Sequence, residues 1–146
     1  MQPPAKPASA KDTEARTGRG CDDGGVVLTL VIVDDHAGFR SFGRARLEAD
    51  GITVVGEAED GASAVLLCDR LDPDVVLLDV DLPDFDGFEV CARLASGITG
   101  RPAVVLTSSR PAAAYTSQLQ ATTARGFLPK EEVSGDTIRA LVRTHS

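Results

Sequence analysis

The sequence predicts an α/β domain: a doubly wound, five-stranded parallel sheet with helices on both faces. Three observations predict it. Val26–Val33 (VVLTLVIV) is a nearly continuous apolar, β-branched run, the pattern of a strand buried on both faces. Four more apolar runs follow at Ile52–Ala58, Val75–Asp79, Ala103–Thr107 and Gly126–Leu128, with helical patterns between them. Turn signals separate the elements: Asp50-Gly51, Asp60-Gly61, Asp72-Pro73, Asp86-Gly87 and Arg110-Pro111.

The helical segments read as Phe39–Ala49, Ala62–Leu71, Phe88–Leu94, Ala112–Ala121 and a last helix near Thr137–Arg143. With right-handed crossovers, five alternating strands and helices lead to a flavodoxin-like (βα)5 arrangement of strand order 2-1-3-4-5. The first helix is intrinsically weak. Gly38 and Gly43 each cost about 1 kcal/mol relative to Ala, and Arg46 interrupts an apolar stripe of Phe39, Phe42 and Leu47. Packing against the sheet must hold it in place. Ahead of this domain, which spans 26–146, residues 1–25 are rich in Pro, Ala, Lys, Thr and Gly and lack apolar periodicity. They read as a disordered tail. Its scattered Lys6, Lys11, Arg16 and Arg19 ordinarily mean solubility rather than a binding arm.

A chain of 146 residues has room for one real core. With 42% apolar residues but only 4% aromatics and no Trp, that core is built from Val, Leu, Ile and Ala. A net charge of −7 gives no general attraction for nucleic acid or anionic lipid, which argues against either as a direct partner. Cys21, Cys68 and Cys91 show neither disulfide nor zinc-ligand spacing, and the last two fall within apolar helical patterns as small buried hydrophobes. The N-terminus lacks the roughly 7–15-residue apolar run of a signal peptide, and no apolar run of about 18 residues occurs. A cytoplasmic location is expected.

The acidic residues fall in a pattern. Asp34 and Asp35 follow the first strand and Asp79 closes the third, so all three lie at the carboxyl edge of a parallel sheet. Any one of them alone would ordinarily be a turn or cap residue. Converging at neighbouring strands, they repel unless a cation neutralises them, and Mg²⁺ (or Mn²⁺) suits a carboxylate set of this kind. Thr107 ends the fourth strand and Lys130 follows the fifth, on the same edge. A hydroxyl and an ammonium beside a metal-bound carboxylate suit phosphoryl chemistry, in which catalysis is mostly positioning and charge compensation. On this reading Asp79 is the nucleophile that forms an acyl phosphate. The bland alternatives are a loop-capping Thr107 and a solvated Lys130.

The pieces VIVDDH (Val31–His36), GEAEDG (Gly56–Gly61), VVLLDVDLPDFDGFEV (Val75–Val90), VVLTS (Val104–Ser108) and GFLPK (Gly126–Lys130) occur in that order. Together they resemble the receiver domain of two-component response regulators, of the LuxR/NarL type, over roughly residues 27–145. The resemblance implies that Asp34, Asp35, Asp79 and the backbone carbonyl of Asp81 hold Mg²⁺, with Asp79 the phosphoacceptor. It implies that Thr107 is the switch hydroxyl, Phe127 the switch aromatic and Lys130 the phosphate-contacting cation. Ser108 is then the small residue that leaves room for the phosphoryl donor, and Asp81 and Ser109 line the approach of water. It further implies a sensor histidine kinase or phosphotransfer protein as donor. Phosphorylation would rearrange the face of helix four, strand five and helix five, for partner binding or homodimerisation. Such a domain is a signalling acceptor, catalysing only its own phosphoryl transfer and dephosphorylation.

Pro129 precedes Lys130 and Glu131 follows it, so the cis Lys-Pro bond of many family members is impossible here. Regulators of the LuxR/NarL type continue into a DNA-binding output domain that this chain does not contain, so it is expected to be either a stand-alone receiver acting by protein contacts or an excised fragment, and the tail from Met1 slightly favours the first. Two alternatives remain: a degenerate receiver acting as a phosphorylation-independent binding module, and a haloacid-dehalogenase-type phosphatase suggested by Asp79-Val80-Asp81. The order of parts opposes the phosphatase, which places its D-x-D early and its acidic pair last.

Overall fold

The computed structural model describes residues 27–95 and 102–143, so the expected tail at 1–25 lies outside the described residues. The elements follow in strict alternation: β1 Thr29–Val33, α1 Ala37–Ala49, β2 Thr53–Ala58, α2 Gly61–Leu71, β3 Val75–Asp79 and α3 Gly87–Ala95. Then come β4 Ala103–Ser108, a 3₁₀ turn Ala112–Tyr115 opening α4 Thr116–Ala121, β5 Gly126–Pro129, a 3₁₀ turn Lys130–Glu132 and α5 Gly135–Arg143. All neighbouring strands are parallel, in the order β2-β1-β3-β4-β5. This is the predicted flavodoxin-like sheet. β1 begins at Thr29, after Val27 and Leu28, while the expected first residue, Val26, lies outside the described residues. The Asp74 carboxylate accepts from the Thr29 backbone N–H at 2.9 Å and pins the starts of β1 and β3 together.

The two-residue period of the strands divides the core. Leu30, Ile32, Val75, Leu77, Val105 and Leu128 face Leu47 of α1 and Ile138 of α5. On the opposite face Val31, Val33, Val76, Leu78, Val104 and Leu106 meet Ala64 and Cys68 of α2 and Val90, Cys91 and Leu94 of α3. Both cysteines are buried free thiols, as expected, and burial pushes the Cys68 thiol up to about 12. Apolar burial on both faces explains why the central strands carry no alternation with polar residues.

Helix α1 corrects one expectation. Phe42 is 63% exposed, and the buried face is Phe39, Gly43 and Leu47, spaced one turn apart. Arg46 therefore interrupts nothing; it lies outside and pairs with Asp50 at 3.1 Å. The fourth helix is also shorter than its apolar pattern predicts. Tyr115 leaves helical geometry at φ −128°, ψ 28°, so the segment splits into a 3₁₀ turn and a six-residue α4. That break accompanies a ring held inside the protein: Tyr115 is buried against Phe88 and Phe127, each with ring centroids 5.9 Å away.

Gly87 is required by a close approach. A Cβ there would lie 2.6 Å from the Asp79 carbonyl oxygen, and the Gly87 N–H donates to the Val80 carbonyl at 2.7 Å. A Cβ on Gly43 would instead meet Ile32 Cδ1 at 3.7 Å and the Phe39 ring at 3.9 Å, ordinary contacts. Gly43→Ala should stabilise the domain by about 0.5–1 kcal/mol, and Gly87→Ala should destabilise it by ~1–3 kcal/mol. Urea unfolding of the two variants checks the contrast; equal effects would contradict this packing.

Candidate functional site

Each strand's alternation, continued one step past the α1/α5 face of the core, places a functional side chain at the carboxyl edge. Ile32 leads to Asp34, Leu77 to Asp79, Val105 to Thr107 and Leu128 to Lys130. Asp79 and Thr107 are register partners across β3 and β4, so they project on the same side. Asp79 and Thr107 are strand residues, and Asp34 and Lys130 each stand one residue past a strand end, so the sheet gathers all four at one edge. Asp35, next to Asp34 but off that alternation, is exposed.

The carboxylates are buried: Asp34 is 0% and Asp79 2% exposed. Lys130 Nζ lies 2.7 Å from Asp34 Oδ2 and 3.5 Å from Asp79 Oδ2. Among the described residues the Lys130 ammonium is the group that compensates the charge on Asp34 Oδ2. The Lys130 ammonium also lies over the Phe39 ring, 4.7 Å from its centroid. Asp79 Oδ1 accepts from the Asp81 backbone N–H at 3.1 Å. Among the described residues, the fully buried Thr107 hydroxyl has no hydrogen-bond partner. A buried hydroxyl without a protein partner is costly unless a water or a ligand satisfies it.

Burial pushes the Asp79 carboxyl up from 3.8 to about 6; the Asp34 and Asp81 charges add to this, and the Asp81 N–H and Lys130 oppose it. Burial lowers Lys130, but its contacts with Asp34 and Asp79 outweigh that and hold the ammonium above its ordinary value. Ligand atoms of Asp34, Asp35, His36 and Asp79 lie within 4.8 Å of one another. Three of these donors are hard carboxylate oxygens, which fits Mg²⁺ or Mn²⁺.

The sequence profile described as the response regulator receiver domain matches residues 30–143. The chain belongs to the response regulator receiver domain family. Relatives include a Pseudomonas aeruginosa protein named as a transcriptional regulator, 43% identical over 103 residues, covering 70% of this chain and 49% of that protein. The nitrate/nitrite response regulator protein NarL of Escherichia coli K12 is 33% identical over 115 residues, 77% of this chain and 52% of its own. The solved signal receiver domain of NarL from Mycobacterium tuberculosis superposes with a TM-score of 0.72 at 33% identity, covering 80% of this chain and 97% of that one. The chain spans about half the length of the curated relatives it matches. The receiver is of the LuxR/NarL type, and receivers are signalling domains.

Several features of this receiver's site were not legible in the sequence. His36 folds back on the acidic pair, its Nδ1 3.2 Å from Asp34 Oδ1 and 3.1 Å from Asp35 Oδ1. Asp84, in the loop after the acceptor, takes the Gly61 and Ala62 N–H groups at 2.8 and 3.0 Å. It caps α2 from across the sheet edge and anchors the loop that carries Asp81. The Gly61, Ala62 and Phe85 N–H groups hold its carboxyl below the ordinary value. Arg40 donates to the Asp34 carbonyl at 2.6 Å. Ser108, expected only as a small residue, uses its hydroxyl with Tyr115 and Asp81. Phe127 lies on the opposite sheet face, packed with Tyr115.

Because the folded Asp79 value is raised, its stabilising contribution is full below the unfolded value and is lost as pH rises through about 6. The rise from 3.8 to about 6 corresponds to at most about 3 kcal/mol. Asp79→Asn should therefore be nearly neutral at pH 4 and more stable than wild type at pH 7.5, in chelator-treated samples. Saturating Mg²⁺ should shrink the difference. Thermal melts at both pH values check this, and a variant less stable than wild type at pH 7.5 would contradict it.

Proposed function

We propose that this receiver accepts a phosphoryl group on Asp79 from a sensor histidine kinase or phosphotransfer protein, in a reaction requiring Mg²⁺ or Mn²⁺. The observation that carries the reading is the buried Asp79 carboxylate beside Lys130, with the acidic pair and a Thr107 hydroxyl that has no partner among the described residues at the same sheet edge. Asp34, Asp35, Asp79 and the Asp81 carbonyl would hold the ion, which when bound supplies charge compensation to the phosphoryl oxygens. An Asp79 oxygen attacks phosphorus, the bond to the donor imidazole breaks, and the imidazole leaves. Lys130 neutralises the transferred group, and Thr107 donates to one of its oxygens.

The consequence proposed is a population shift of the α4, β5 and α5 face, with Phe127 moving as Thr107 is drawn to the phosphate. That face would bind a protein partner or a second copy of the chain. Among the described residues no helix is long and apolar enough to cross a membrane. A cytoplasmic receiver acting through protein contacts, without direct nucleic-acid binding by this domain, accords with its acidic charge of −7. Family membership sets aside the dehalogenase-type phosphatase.

Incubation with acetyl phosphate and Mg²⁺, followed by intact-mass measurement, should show one phosphoryl adduct on wild type and none on Asp79→Ala. An unmodified wild type, alongside a control receiver that is modified, would contradict the reading in favour of a degenerate binding module. Lys130→Ala should retain the adduct but lose most of the phosphorylation-dependent change in partner affinity. A beryllium fluoride mimic with Mg²⁺ should raise the melting temperature of wild type, since it binds the native state alone.

A further inference from the structure

Tyr115 is the one aromatic residue whose polar end reaches the mouth of the site. Its hydroxyl lies 2.8 Å from Ser108 Oγ and 3.3 Å from Asp81 Oδ2, and Ser108 Oγ lies 3.4 Å from the same Asp81 oxygen. Ser108 Oγ also accepts the Arg110 N–H at 3.0 Å. The triangle of contacts has three sides, but the two hydroxyls own one hydrogen each. The shortest side takes one hydrogen, and the other must go to Asp81. Two arrangements satisfy this: Tyr115 donates to Ser108 and Ser108 to Asp81, or Ser108 donates to Tyr115 and Tyr115 to Asp81. Both end on the carboxylate.

We infer that Tyr115 is a positioning residue, whose hydroxyl, in chain with Ser108, holds the Asp81 carboxylate to one side of the phosphoryl site. The inference rests on the phosphoacceptor reading of Asp79. Asp81 sits two residues past Asp79, with its N–H on the Asp79 carboxylate and its side chain exposed at the mouth. An anionic phosphoryl donor must pass that side chain. Tied toward Tyr115, the Asp81 charge is partly satisfied by a hydroxyl hydrogen and fixed in direction. Without the Tyr115 hydroxyl only the longer Ser108 contact, at 3.4 Å, remains to hold that charge away from the entry path. Tyr115 also ends the 3₁₀ turn that opens α4, and its ring lies between Phe88 and Phe127. The chain of hydroxyls therefore ties α4 to the acceptor loop, through groups distinct from Thr107 and Phe127.

Tyr115→Phe removes one hydroxyl and keeps the ring, so the packing with Phe88 and Phe127 is preserved. The experiment measures the rate of phosphorylation by acetyl phosphate, at low and at high ionic strength, in wild type, Tyr115→Phe, Asp81→Asn and the double variant. Asp81→Asn keeps the backbone groups and removes only the charge. The expected result is a rate lowered by at least about threefold in Tyr115→Phe at low ionic strength, with a smaller loss at high salt. In the Asp81→Asn background the Tyr115 substitution should have little further effect, because the charge it restrains is gone. A wild-type rate in Tyr115→Phe would overturn the inference. So would a loss of equal size with and without the Asp81 charge, which would mark Tyr115 as a packing residue only. Absence of any adduct on wild type itself would overturn the phosphoacceptor reading, and this inference with it. A melting temperature for Tyr115→Phe close to that of wild type separates a charge effect from a folding defect.

Discussion

The structure turns on two buried carboxylates, Asp34 and Asp79, held apart from water at neighbouring strand ends with one ammonium between them. Removing both charges from solvent costs several kcal/mol per ion, and a single Lys130 returns only part of it. The remainder shows as an Asp79 carboxyl raised to about 6; beside it the Thr107 hydroxyl has no partner among the described residues. A site so arranged is poorly satisfied by the protein alone. On the proposed reading, a cation and an anionic group arriving together would satisfy it better. The imbalance that weakens the unliganded fold is what gives a ligand leverage over it.

That imbalance is tolerated because the scaffold around it is rigid. β3 is flanked by β1 and β4 and buried on both faces, so the strand end bearing Asp79 cannot relax away from its neighbours. The loop beyond it is fixed at two further points. Gly87 lets α3 start against the Asp79 carbonyl, and Asp84 binds the first two N–H groups of α2. The helical stretch on the other side of the mouth is less firmly set. α4 has six residues and none of them is buried, and it joins the site through Tyr115, the last residue of the turn before it. A rigid acceptor beside a lightly held helix is a suitable arrangement for a switch, since the weaker element is the one a new contact moves.

Much of this was readable from residue order. A parallel sheet turns strand ends into a shared edge, so Asp34, Asp79, Thr107 and Lys130 could be brought together from strand boundaries alone. The parity that puts them on one face follows from the same period of two. What stayed hidden depended on loop paths and helix rotation. Phe42 and Gly43 are neighbours in sequence, and only the angle of α1 about its axis decides that the glycine is buried and the phenylalanine exposed. Asp84 carried no signal at all, because its partners, Gly61 and Ala62, lie across the sheet edge. Tyr115 read as a helix residue because nothing in the apolar pattern signals the break that turns its ring inward. Ser108 was credited with small size alone, because its hydroxyl's partners come from two other segments.

The most direct test of the central claim is a crystal structure of the protein grown with Mg²⁺ and beryllium fluoride. The account predicts an ion held by Asp34, Asp35 and Asp79, the fluoride on an Asp79 oxygen, and Lys130 and Thr107 in contact with it. An ion bound elsewhere, or an Asp79 carboxylate free of beryllium while Lys130 still bridges it to Asp34, would contradict the account.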